Sequence, residues 1–218
     1  MKNQFPDHRV VIVPLVGFCL FVLLYLIATG YYPGGSNNDP STLYFSWQHN
    51  YWCDLLETTS KNGLVNTARP VAISALFVLG CSIGLFFYFF SALVTSKWRF
   101  PIRYCGILSI VPMLLLFIGP HDLLINFSAL LALIAIACAL LVLYKDGAYS
   151  AFYLGTLCII LCVLNNYIYY NNHLLFLLPV VQKISFLIFL FWFTYVEWIL
   201  YKKVCNQKLF NGKARHEP

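Results

Sequence analysis

A chain of 218 residues of which 61% are hydrophobic and only 10% charged cannot wet the surface of a soluble domain, which is about 25% charged. The formal charge of +6 lies in short stretches beside apolar runs, with no compact basic patch interleaved with aromatics. The lipid bilayer is therefore the expected partner, and no nucleic acid is expected.

A helix crossing a hydrocarbon core of about 30 Å needs about 20 mostly apolar residues. Six runs meet that length, at residues 10–28, 71–94, 102–118, 123–144, 148–169 and 174–201. The first run also admits reading as a cleaved signal peptide. Its apolar stretch exceeds the usual length of about 7–15 residues, and no clear small-x-small site follows in Thr29-Gly30-Tyr31-Tyr32, so a span is expected.

After it comes the one long polar segment, the loop 30–69. Its opening, Tyr31-Tyr32-Pro33-Gly34-Gly35, is rich in turn residues and interfacial tyrosines. Tyr44, Trp47, Tyr51, Trp52, Leu55 and Leu56 then recur at helical spacing, opposite Gln48, His49, Asn50, Cys53, Asp54 and Glu57. This pattern predicts a short interfacial amphipathic helix, either a plain cover for the bundle or the wall of a site.

The second run is entered through Arg69-Pro70, with proline near the first helical position. The third is the shortest. It ends in Gly119-Pro120-His121-Asp122, a turn from which Asp122 is placed to cap the fourth helix. The sixth is long enough to tilt or to emerge from the membrane as helix, and a tail, 202–218, follows.

Lysine and arginine alternate with the spans. Lys2 and Arg9, then Lys97, Arg99 and Arg103, then Lys145, then Lys202, Lys203, Lys208, Lys213 and Arg215 fall on one side, against Lys61 and Arg69 on the other. The bias predicts cytoplasmic N- and C-termini and an outward loop, in the cell (inner) membrane. The expected fold is all-α: one domain of residues 1–218, a polytopic membrane helix bundle of about six transmembrane helices.

Polar groups then collect on the outward side: His121, Asp122 and Asn126; Asn165, Asn166, Asn171, Asn172 and His173; and Gln182 with Lys183. A lysine in hydrocarbon costs about 2.5–3.5 kcal/mol, so Lys183 must face a cavity or an acid, or snorkel to the interface. Asp54, Glu57 and Asp122 share its side and are the expected partners. Pocket candidates are His49, Asp54, Arg69, His121, Asp122 and Lys183, with Asp54 and Asp122 offsetting Lys183 and Arg69.

His49, Cys53, His121 and His173 have the residue types of a zinc site but no signature spacing, so no metal or other cofactor is predicted. Ser46, His49 and Asp54 have the types of a catalytic triad, whose test is geometry. No GxSxG, Walker A or GxGxxG motif occurs, and no inverted repeat marks a transporter.

Three short stretches carry a family likeness: Asp54-Leu55-Leu56 in the loop, Asn66-Thr67-Ala68-Arg69-Pro70 before the second span, and Gly119-Pro120-His121-Asp122 before the fourth. On these the chain resembles the DRAM/Sfk-like six-span membrane proteins and the bacterial domain-of-unknown-function 998 group. The resemblance implies a six-span fold and no particular activity. Trp52-Cys53-Asp54 also resembles a stretch of the ceramidase-like hydrolases, whose membrane histidine pair this chain lacks. The function expected is a polar pocket at the outer leaflet that binds a lipid headgroup or another membrane protein, rather than an enzyme. A membrane-embedded hydrolase, with or without metal, and a small transporter are the alternatives.

Overall fold

The structure is a computed structural model that describes residues 8–171 and 173–213. Lys2, Asn172 and Arg215, named above for charge or polarity, lie outside them. The described residues form helices α1 (His8–Val11), α2 (Val13–Gly30), α3 (Arg69–Ala92), α4 (Arg99–Leu108), α5 (Ile110–Leu114), α6 (His121–Lys145), α7 (Tyr149–Tyr169) and α8 (Leu178–Lys213), and no strand. Five segments are long and apolar enough to cross a membrane: Val13–Gly30, Arg69–Ala92, His121–Lys145, Tyr149–Tyr169 and Leu175–Asn206. The all-α fold follows from run length alone, because only a helix satisfies every backbone polar group within one segment of a span.

The third run differs in form from one straight helix. It folds as α4 and α5, broken at Ser109, with turns from Leu115 to the start of α6. Pro112 has no N–H for the carbonyl four residues back and its ring crowds that position. Ser128 Oγ of α6 donates to Ser109 O at 2.7 Å and holds the backbone at the break. The last helix emerges as its length suggested: at about 1.5 Å per residue it is longer than the hydrocarbon core, and it carries on through most of the segment 202–218 read as a tail.

The helices pack in a ring, α2 on α3, α3 on α4, α4 on α6, α6 on α7, α7 on α8, and α8 on α1 and α2. The half of the ring away from the loop, the tail end, is filled by aromatics. Phe86 of α3 meets Phe193 of α8 edge-on at 4.8 Å, and Phe193 also meets Phe18 of α2 at 5.7 Å. Trp192 turns the other way and donates from Nε1 to Ala151 O of α7 at 2.9 Å. Gly155 lets these helices close: a Cβ there would lie 2.4 Å from Leu140 of α6 and 2.6 Å from Trp192 Nε1. Small residues at such crossings are how helices pack in lipid, where no hydrophobic force gathers them.

The outside of the ring is apolar. Val16, Leu20, Leu23 and Leu26 of α2 are all exposed, as are Leu123, Phe127 and Leu130 of α6. The buried residues of α6 run only from Ala135 to Leu143. Its first half is free of that close packing, and a space opens there between α6, α7 and α8 at the loop end.

Candidate functional site

The loop end is organised by two buried asparagines. The Asn50 side chain accepts from Ser46 N at 2.8 Å and donates from Nδ2 to Gly35 O and to Asp54 Oδ2, both at 2.9 Å. Asn66 donates from Nδ2 to the carbonyls of Asp54, Leu55 and Glu57, and accepts from Ala68 N. These side chains compete with the backbone for its own hydrogen bonds. Helix in the loop is accordingly limited to a 3-10 segment, Trp52–Leu56, and residues 44–51 are turn and irregular chain rather than the longer amphipathic helix their spacing suggested. Asp54 starts the 3-10 segment by accepting from Tyr51 N at 2.9 Å. Leu55 and Leu56 are buried, whereas Tyr44 and Trp47 are exposed.

Gly35 carries φ of +81°, and a Cβ on it would meet Asn62 N at 2.2 Å. Only glycine fits that left-handed position against the neighbouring strand of loop.

Two cations fasten the loop to the helices. Arg69, at the start of α3, donates from Nε to Leu56 O at 2.9 Å and from an Nη to Phe117 O at 3.0 Å. Lys183 of α8 is buried, and its Nζ donates to Asn50 O and to Pro179 O. It therefore does not snorkel, and it forms no ion pair with an acid among the described residues. The expected pairing of Asp54 and Asp122 with Lys183 and Arg69 is not formed. Asp54 is instead 3.5 Å from Lys61 Nζ, which also holds both Glu57 oxygens at 3.0 Å. Lys61 wins because it is seven residues away in the same folded loop, while Lys183 reaches the loop backbone first. Asp122 does not cap α6; it lies in the first turn and accepts from the Tyr169 hydroxyl at 2.9 Å, with His121 Nδ1 at 3.2 Å.

Under this roof lies a cavity of about 910 Å³. Its rim carries Asp54, Glu57, Lys61, His121, Asp122 and Tyr169. Asn126, Asn165 and Gln182 stand on the walls, and Ala129, Cys162, Phe186 and Phe189 lie deepest along their helices. From His121 to Ala129 on α6, from Tyr169 to Cys162 on α7 and from Gln182 to Phe189 on α8, the lining descends about 10–12 Å, at 1.5 Å per residue. On α6 and α7 it passes from polar to apolar, and on α8 it does so below Leu178, from Gln182 and Ser185 to Phe186 and Phe189.

Of the six pocket candidates, Asp54, His121 and Asp122 line this cavity, while His49, Arg69 and Lys183 do not. Arg69 and Lys183 shape it from behind. His49 bonds Ser46 Oγ at 3.1 Å, and Asp54 faces Asn50 and Lys61 rather than His49, so the three do not form a triad. Of the zinc candidates, Cys53 and His121 line the cavity; His49 and the exposed His173 do not. Among the described residues no three His, Cys, Asp or Glu side chains are grouped to hold a metal ion. Burial, then the Asp54 and Glu57 charges, push the Cys53 thiol up to about 12. A thiol held protonated is a poor nucleophile.

Sequence reasoning passed over Lys61 and Tyr169. Lys61 was legible as the i+4 partner of Glu57. Tyr169 carried no signal, since its bond to Asp122 spans 47 residues.

No protein-family model, curated protein or solved structure matches this chain. The class rests on the fold: an integral membrane protein built as a helical bundle, with a cavity that opens at its loop end.

Proposed function

We propose that the chain is a cell-membrane protein whose cavity binds an amphiphile, a membrane lipid, by its head group and first chain carbons. The observation that carries this reading is the gradient from a charged rim through the wall amides Asn126, Asn165 and Gln182 to a floor of Phe186, Phe189, Ala129 and Cys162. A polar metabolite would leave that floor wet, and a hydrocarbon would strip water from the exposed rim carboxylates Glu57 and Asp122. An amphiphile satisfies both ends, in a volume inside the range of about 300–1,000 Å³ usual for small-ligand sites.

The loop end faces away from the cytoplasm in this reading. Lys97, Arg99, Arg103, Lys145, Lys202 and Lys203 cluster at the opposite end, which the positive-inside bias places in the cytosol. The head group then lies at the outer leaflet.

Native mass spectrometry of protein purified in dodecyl maltoside tests the reading. The wild type should retain lipid. Ala129→Trp, which fills the floor, should lose it at an unchanged melting temperature. Cys162→Phe is the second variant should the first fail to fold. Equal lipid retention in the wild type and a folded floor-filled variant would overturn the assignment.

A further inference from the structure

We infer that the head group taken by this cavity is cationic: an alkylammonium, on a free amphiphile or as the ammonium of a zwitterionic lipid. The inference rests on the reading of the cavity as an amphiphile site and adds the charge of the head.

The sequence places three cations in the described part of the loop end, and each is committed to an acceptor of the protein itself. Lys61 is shared between Asp54 and Glu57. Arg69 donates to Leu56 O and Phe117 O. Lys183 donates to Asn50 O and Pro179 O, buried behind the cavity wall. An anionic head would find no uncommitted ammonium or guanidinium among the described residues that line the cavity.

The carboxylates are in excess. Asp54, Glu57 and Asp122 line the cavity with one lysine, Lys61. Counting histidine as neutral, three negative charges against one positive leave a formal −2. Asp54 and Glu57 divide a single ammonium, and Asp122, with 63% of its side chain exposed, has only His121 and the Tyr169 hydroxyl against it among the described residues. A cleft lined by one sign of charge concentrates ligands of the other.

The aromatic lining acts in the same direction. Tyr51 and Tyr169 both line the cavity, beside the Asp54–Glu57 and Asp122 carboxylates respectively. The face of an aromatic ring attracts an ammonium and repels an anion, and pairing rings with carboxylates suits a weakly hydrated quaternary head.

The test uses the full chain in dodecyl maltoside and three probes with one alkyl chain: dodecyltrimethylammonium, dodecylphosphocholine and dodecyl phosphate. Their affinities are measured by equilibrium dialysis at low and at high salt. The expected order places dodecyltrimethylammonium about tenfold tighter than dodecyl phosphate at low salt, with the gap narrowing as salt screens the exposed rim. Asp122→Asn, an exposed change that leaves the packing alone, should cost the cation about threefold and leave dodecyl phosphate equal or better bound. Phosphocholine binding equal to the trimethylammonium probe identifies a zwitterionic lipid as the source. Weaker phosphocholine binding identifies a free cationic amphiphile. Dodecyl phosphate binding as tightly as the cation, or tighter, overturns the inference and leaves the amphiphile site standing. Binding of none of the three, with no lipid retained on purification, overturns the amphiphile site itself.

Discussion

Replacing Asn50 with alanine should unfasten the loop while leaving the bundle intact. Asn50 is fully buried and its side chain makes three hydrogen bonds, to Ser46 N, Gly35 O and Asp54 Oδ2. Two are between neutral groups, about 1 kcal/mol each, and the third, to a carboxylate, contributes about 1.5–3 kcal/mol. Asp54 keeps Tyr51 N and Lys61, so the net loss falls to about 3 kcal/mol, or roughly two powers of ten in the loop-opening equilibrium. Cys53 reports that opening. Closed, its thiol is held protonated, at about 12; opened, it regains ordinary reactivity toward maleimide. The assay is maleimide modification near neutral pH, read at Cys53 alone by peptide mass spectrometry. Asn50→Ala should accelerate it about a hundredfold. Asn50→Asp should be worse, because it keeps the acceptor for Ser46 N but sets a second carboxylate where the donor now lies 2.9 Å from Asp54. Rates within threefold of wild type, or an aspartate milder than alanine, would refute the reasoning.

At the tail end, Gly155→Val should cost about 2–4 kcal/mol and lower the melting temperature in detergent, since any Cβ there collides with Leu140 and Trp192; Gly30→Ala, with nothing within 4 Å, is the neutral control. Glu197 is 1% exposed and neither carboxyl oxygen has a hydrogen-bond partner among the described residues, so Glu197→Leu should match or exceed the wild-type stability by about 1–3 kcal/mol; a clear loss in the melting curve would show that the acid is bonded. Alkali should loosen the loop. Burial, with the Asp54 and Glu57 charges, raises Cys53 from 9.0 to about 12, so the folded loop holds a proton that the open loop releases. That share of stability is complete below pH 9.0 and lost as pH climbs toward about 12. Between those limits the melting temperature of Cys53→Ala should fall less steeply than that of wild type; parallel curves would contradict the assignment.

The bundle was legible because span length and apolar content leave only one backbone solution in lipid. The runs at 71–94, 123–144 and 148–169 coincide with α3, α6 and α7 to within a few residues. What they hid was local. Pro112 breaks the third run by removing one N–H, an effect that hydropathy averages away. The loop misled in the opposite sense. Its aromatics do repeat at helical spacing, but Asn50 and Asn66 spend their amides on backbone groups, and four or five such bonds outweigh the weak drive to form one short helix.

The site was legible as a location and not as a circuit. Counting spans put His121, Asp122, Asn165 and Gln182 at one end of the bundle, and the cavity gathers all four. Pairing was a different matter, because it depends on reach. Lys183 looked like the natural partner of Asp54, being the one lysine deep in a span. Yet Asp54 had Lys61 within its own loop, and Lys183 lay closer to the carbonyl of Asn50. That exchange decides the character of the cavity. Were Lys183 paired with Asp54, Lys61 would answer Glu57 alone and the carboxylate excess at the rim would shrink. Paired as they are, both lysines are occupied, and Asp122 is the rim carboxylate that no lysine or arginine meets among the described residues, held instead by His121 and the Tyr169 hydroxyl.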